Sequence, residues 1–297
     1  MNTLDTKVDL VLDCKNEIGE SCFWDPRDNQ LWWTDIEGKK IWCIDENKNS
    51  KKFNLPDRAC FILPRKEPGF IIGFPNHISI ANQNLTSYTK LHDIEIDIPQ
   101  TRINDAKVDP FGGIVFGTFD ENSDRSKRKP LGSVYRLAPN GLLTELFSKV
   151  TVSNGITFSP SGEIMYFADS PTDTIRQFQI QQNFDYFKEL NLFVNKGSAP
   201  GFPDGGTVDS EGNYWSARVR GGCVVCYNSK GKLISKINTP TQAPTCVTLG
   251  GSNLKKLFIT SLGAPLHLEK NTNDFHAGNL FSLEVQISGI KQTLSTL

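Results

Sequence analysis

The chain has 297 residues, 38% of them hydrophobic, and its 19 Phe and 5 Trp are ample material for a core. Its 32 basic and 33 acidic side chains leave a formal charge of -1, and no Lys/Arg cluster interleaves with aromatics, so no nucleic-acid partner and no membrane partner is indicated. No apolar stretch approaches a transmembrane span, and seven cysteines, an odd number, suit reduced thiols rather than a disulfide framework.

Residues 1–15 (MNTLDTKVDLVLDCK) carry acids where a signal peptide has its basic region and lack an apolar run of the needed length, so a cytoplasmic protein is expected. Residues 8–12 (VDLVL) read as a strand with no partner in its own repeat. From residue 18 the chain repeats one unit, stated in full at 153–180: an apolar run, a tight turn, a second run, a polar break and an alternating strand. The turn recurs at Asp25-Pro26, Pro64-Arg65, Asp109-Pro110, Ser159-Pro160, Asp209-Ser210 and, more weakly, Gly251-Ser252, at intervals of 39, 45, 50, 50 and 42 residues. Each interval holds one four-stranded sheet.

The first unit predicts strands over 22–24, 31–34 and 40–44, and the second over 61–63, 69–74 and 77–81. The third begins at Arg102 and carries the longest insertion, residues 120–130 (DENSDRSKRKP), before a strand over 133–137; its length makes it a candidate rim or lid. The fourth predicts strands over 156–158, 164–168 and 174–180. In the fifth, Cys223 and Cys226 form the chain's C-x-x-C, read as two ordinary strand cysteines because residues three apart on a strand face opposite ways. The last unit shows three strands, 247–249, 257–261 and 279–285, and lacks a fourth. The N-terminal strand completes it, since an open ring would leave an exposed edge. The expected fold is all-β: a six-bladed β-propeller in one domain over residues 1–297, closed by the N-terminal strand pairing in the last blade, and a monomer.

Aligned on the turns, the units place Glu20, Asn104, Asn154 and Asp204 five residues before the marker, where each innermost strand begins. Asn154-Gly155 and Asp204-Gly205 are also ordinary turn signals. The shared offset favours a functional reading, because turn formation does not call for Glu20. Carboxylates and carboxamides brought together at one channel mouth are resolved by a bound cation with waters. Oxygen-only ligands suit Ca²⁺, Mg²⁺ or Mn²⁺ and hold Zn²⁺ or Fe²⁺ less selectively; none of the four histidines (His77, His92, His267, His276) falls at the offset. The ends of the second strands, Asp35, Asp120, Glu121, Asp169, Ser170 and Arg218, and also Arg102, are expected on the same face. That lining suits a small polyhydroxylated or anionic ligand.

At these residues the sequence resembles the sugar lactonases of the senescence-marker-protein, regucalcin and gluconolactonase group. The resemblance is carried by Gly19-Glu20 with Trp24-Asp25-Pro26 and Asp35-Ile36, Arg102-Ile103-Asn104-Asp105 with Lys107-Val108-Asp109, Gly117-Thr118, Ser153-Asn154-Gly155, and Phe202-Pro203-Asp204-Gly205 with Val208-Asp209; Pro244-Thr245 also fits. It spans nearly the whole chain. It implies a propeller with one divalent cation on Glu20, Asn154 and Asp204, with Arg102, Asn104 and Glu121 contacting a small-molecule sugar lactone, and Asp204 as the expected general base. The expected reaction is hydrolysis of an aldonolactone (arabinono-, xylono-, glucono- or galactono-) to the open-chain acid. Ser21-Cys22 departs from the family's usual Gly-Pro and would alter the channel mouth or add a soft atom near the metal. No G-x-S-x-G element or phosphate-cradling loop competes. The alternatives are a non-catalytic calcium-, metal- or ligand-binding propeller and an interaction platform with a structural ion.

Overall fold

The computed structural model of the chain describes residues 7–264 and 274–297; His267 lies outside them. Six four-stranded antiparallel sheets surround one axis. Their inner strands are β2 (Gly19–Asp25), β6 (Phe61–Pro64), β10 (Thr101–Val108), β14 (Ser153–Phe158), β18 (Phe202–Val208) and β22 (Pro244–Gly250). Each touches the next, and β22 touches β2, so the ring is closed. The closing strand is β1 (Asp9–Leu12), which pairs antiparallel with β24 (Leu280–Glu284) at Asp9–Ser282, Leu10–Phe281 and Leu12–Leu280. The six-bladed propeller and its N-terminal closure are as the repeat spacing predicts. No helix among the described residues is long and apolar enough to cross a membrane.

The turns recur for a reason in their side chains. Oδ1 of Asp25, Asp109 and Asp209 accepts the backbone N–H two residues on, at 3.0, 2.7 and 3.0 Å, and so closes each turn. The core lies between neighbouring blades. Phe23, Trp32, Ile62 and Phe70 join the first blade to the second, and Trp215, Val224, Val247 and Ile259 join the fifth to the sixth. Cys223 and Cys226 are buried, unbridged thiols on one strand, β20 (Cys223–Tyr227), as the sequence reading holds.

At the turn end the C-terminal segment crosses the ring. Ser210 N–H donates to the Ser288 carbonyl at 2.8 Å, Ser295 N–H to the Pro64 carbonyl at 2.9 Å and Thr296 N–H to the Gly112 carbonyl at 2.9 Å. A hollow of about 270 Å³ lies there, with Lys107 and Lys291 the charged residues of its lining among the described residues. The carboxylates converge at the opposite end.

Candidate functional site

Five of the six inner strands are bulged at one height. The ladder register shifts between Glu20 and Phe23, Ile103 and Ala106, Asn154 and Thr157, Pro203 and Gly206, and Pro244 and Val247. The second blade keeps an unbroken register, and it has Ala59 at the offset where the first, third, fourth and fifth carry oxygen and the sixth has Cys246. A bulge re-aims the side chains beside it and ends regular pairing. The backbone turns left-handed at Ser21 (φ 52°) and Gly155 (φ 61°). Glycine is required at 155, where a Cβ would stand 2.3 Å from the Tyr214 hydroxyl.

Glu20, Arg102, Asn104, Asn154, Asp204 and Thr245 thereby line one pocket of about 420 Å³, with Ser170, Phe119 and the insertion residues Arg125, Ser126 and Arg128. A relay of hydrogen bonds fixes the amides. Arg102 Nη1 donates to Asn104 Oδ1 at 2.9 Å; Asn104 Nδ2 donates to the Ser153 carbonyl at 2.9 Å and to Asn154 Oδ1 at 3.0 Å. Asn154 Nδ2 then donates to Ser170 Oγ at 2.9 Å, which donates to the Pro203 carbonyl at 2.7 Å. Asn154, itself a pocket-lining residue, keeps a spare lone pair on its oxygen.

Glu20 and Asp204 line the same pocket and feel each other's charge. Burial pushes both carboxyls up; repulsion from Asp204 and Asp105 adds to the rise of Glu20, which lies well above the ordinary range, and repulsion from Asp105 adds to that of Asp204, which reaches about 8. Among the described residues no three His, Cys, Asp or Glu side chains converge to hold a metal, so a cation here would need amide oxygen as well.

Glu121 stands behind the pocket wall. Arg58 bonds both its carboxylate oxygens, and Arg102 Nε donates to Oε1 at 3.0 Å. Burial would raise this carboxyl, but the two guanidiniums hold it below the usual range. Arg102 also lies over the Phe119 ring, 4.5 Å from its centre.

The expected lining from the second-strand ends is corrected in part. Asp35 accepts the N–H groups of Glu17 and Ile18 at 2.9 and 3.1 Å, and Asp169 those of Thr151 and Val152 at 3.0 and 2.9 Å. Both pin the loop entering an inner strand. Asp120 pins the insertion through Asn122 and Lys129, and buried Arg218 pairs with Asp173 and the carbonyls of residues 199–201. Unsatisfied backbone groups, not the pocket, claim these side chains. Cys22 is packed in the interface of the first and sixth blades with Cys246, away from the pocket lining, while Ser21 Oγ joins Ile62 of the next blade.

Three roles escape the sequence reading, two of them at residues quoted there only as motif positions. Asp105, beside Asn104 on the same bulge, is half-buried, and desolvation raises it to about 6, with its oxygens accepting Ala106 N–H and Ile156 N–H at 2.8 Å each. The bulge cancels strand alternation, which is the signal that would have found it. Arg58 has no counterpart in the repeat. Gly117 makes room for Ser153, since a Cβ there would fall 1.8 Å from its Oγ.

The family model described as SMP-30/Gluconolactonase/LRE-like region matches residues 18–263. The L-arabinolactonase of Azospirillum brasilense is 30% identical over 95% of this chain and 93% of its own length. The pentonolactonase XacC of Haloferax volcanii is 28% identical over 95% and 96%. A solved structure of a calcium-binding protein, regucalcin, from Agrobacterium tumefaciens superposes with a TM-score of 0.88 at 23% identity, covering 98% of each chain.

Proposed function

Because the chain belongs to the SMP-30/gluconolactonase/LRE-like family, among whose relatives are sugar lactone hydrolases, we propose that it hydrolyses a sugar-acid lactone to the open-chain aldonic acid, with one divalent cation held by Glu20, Asn154 and Asp204. The observation that carries the reading is a pair of carboxyls, Asp204 buried and Glu20 half-buried, lining one pocket together with an amide, Asn154, whose orientation is fixed by hydrogen bonds.

These residues fit a cation. Burial and nearby negative charge disfavour both carboxylates, and a cation held by them would offset that penalty. The oxygen donors suit Ca²⁺, Mg²⁺ or Mn²⁺ ahead of Zn²⁺ or Fe²⁺. When bound, the ion supplies a Lewis acid for the lactone carbonyl.

The chain's own groups perform the remaining work. Asp204 takes a proton from the attacking water as its oxygen adds to the carbonyl carbon. When the ring C–O bond breaks, that proton passes to the ring oxygen, leaving a hydroxyl and a carboxylic acid. Arg102 and Asn104 hold the sugar hydroxyls, and Glu121 keeps Arg102 in its place. The substrates to try first are arabinono-, xylono-, glucono- and galactonolactone.

A proton-release assay on that panel, with chelated protein and single divalent ions added back, tests the reading. Ion-restored turnover above the spontaneous rate is expected. If no lactone is hydrolysed with any ion while calorimetry still detects a bound cation, the protein is instead a cation-binding propeller, the role named for the Agrobacterium relative.

A further inference from the structure

The pocket is divided by charge. Its floor holds Glu20 and Asp204, with Asp105 close by. Its wall holds Arg102, Arg125, Arg128 and Arg220, which reach it from β10, from the 120–130 insertion and from the end of β19 (Tyr214–Val219). These guanidiniums feel one another: burial first, then Arg125 and Arg102, brings Arg128 down to about 10, and burial with Arg220 lowers Arg125.

Nearby carboxylates are already engaged. Glu121 serves Arg58 and Arg102, and Asp120 accepts backbone N–H groups. Arg128 is held ready, with Nε donating to the Asn122 carbonyl at 3.0 Å and its guanidinium 4.8 Å from the Phe119 ring centre. Neither Arg128 nor Arg220 has an ion-pair partner among the described residues. The floor carboxylates do not balance this rim, because a cation would neutralise them.

With Arg102 assigned to hydroxyl groups, a neutral polyol has no use for the further arginines Arg125, Arg128 and Arg220. Asparagine and serine meet hydroxyl groups as well, without like-charge repulsion, whereas guanidinium forks match the oxygens of an anion. We propose that the lactone hydrolysed here carries an oxyanion on the carbon farthest from its carbonyl, a sulfonate, phosphate or carboxylate, and that Arg128 and Arg220 lead its recognition. This rests on the lactonase reading and names its substrate class. A pocket of about 420 Å³ falls in the usual range for a small ligand and admits both ends of such a molecule.

The test uses the full chain loaded with the ion that supports turnover. kcat/KM is measured for gluconolactone and for analogues with sulfonate, phosphate or carboxylate at carbon 6. At least one anionic analogue should exceed the neutral parent by about tenfold or more, and the ratio should shrink when salt rises to about 0.5 M; which analogue leads identifies the anion. Arg128→Gln and Arg220→Gln should each lower the anionic-to-neutral ratio severalfold. Calorimetry with the open-chain acids should rank them in the same order. Equal or better turnover of the neutral lactone, or variants that depress both substrates alike, would overturn the proposal and leave the lactonase reading intact. Hydrolysis of no lactone at all would overturn both.

Discussion

Nδ2 of Asn104 lies 3.0 Å from Oδ1 of Asn154, joining the same repeat position in two successive blades. Because Asn104 also accepts from Arg102 and Asn154 also donates to Ser170, neither amide can turn over without losing a bond. The direction of the Asn154 oxygen is therefore set two blades away from Asp204.

Asn104→Ala should weaken cation binding without touching a proposed ligand. It removes the donor to Asn154 and to the Ser153 carbonyl, and frees the Asn154 side chain to rotate. Groups that orient metal ligands typically carry 10–100-fold in affinity or activity. A loss of about that size by calorimetry is expected, and unchanged affinity would show that the relay does not position Asn154.

Asp204→Asn separates the cost of the carboxyl pair from its use. In chelated protein the variant should unfold at a higher denaturant concentration than wild type, since a carboxyl disfavoured by burial and by Asp105 is gone and Glu20 loses a repelling neighbour. Added cation should then stabilise the wild type and not the variant. Turnover should fall by about 10² or more, in the range of a lost general base. A variant that keeps both cation stabilisation and full turnover would remove Asp204 from both roles.

Much of this was legible from the chain, for reasons the structure supplies. The turn period is readable because Asp25, Asp109 and Asp209 each close a turn with their own carboxylate, so their spacing records the sheet spacing. The site offset is readable because the bulge stands at nearly the same distance from that turn in each bulged blade. What failed depends on packing across blades. Asp35 and Asp169 look like pocket residues by position, yet loop N–H groups hold them. Arg58 reaches Glu121 from 63 residues away, and no local pattern announces such a pair.

Glu121 should give the wild type an acid-sensitive component. Its folded-state pKa is depressed, so the stabilisation exists above the unfolded value, about 4.3, and is lost as pH falls through the lower folded value. Partial exposure keeps the effect modest. Urea midpoints measured across the acid range should fall more steeply for wild type than for Glu121→Gln, and parallel curves would deny Glu121 this role.

Two glycines with positive φ separate strain from crowding. Gly141→Ala at a surface turn meets nothing within 4 Å, so only the left-handed backbone penalty of about 1–2 kcal/mol applies. Gly155→Ala adds a clash with the Tyr214 hydroxyl, which donates to the Gly155 carbonyl at 2.9 Å. Overpacking typically costs a further ~1–3 kcal/mol. Chemical unfolding should therefore place Gly155→Ala well below Gly141→Ala in stability, with cation affinity reduced in Gly155→Ala alone. Equal losses would mean that the bulge at Asn154 yields freely.

Deleting residues 1–12 tests the closure of the ring. Without β1 the hydrogen-bonding edge of β24 is bare, and Val11 and Leu12 leave the cluster that holds Trp24 and Leu280. An exposed edge invites pairing with other chains, so the shortened protein should unfold at lower urea and associate on standing. A synthetic peptide covering residues 7–14, added in excess, should restore part of the lost stability by occupying the same edge. An unchanged unfolding midpoint after the deletion would mean that inner-strand packing between β22 and β2 holds the ring shut unaided.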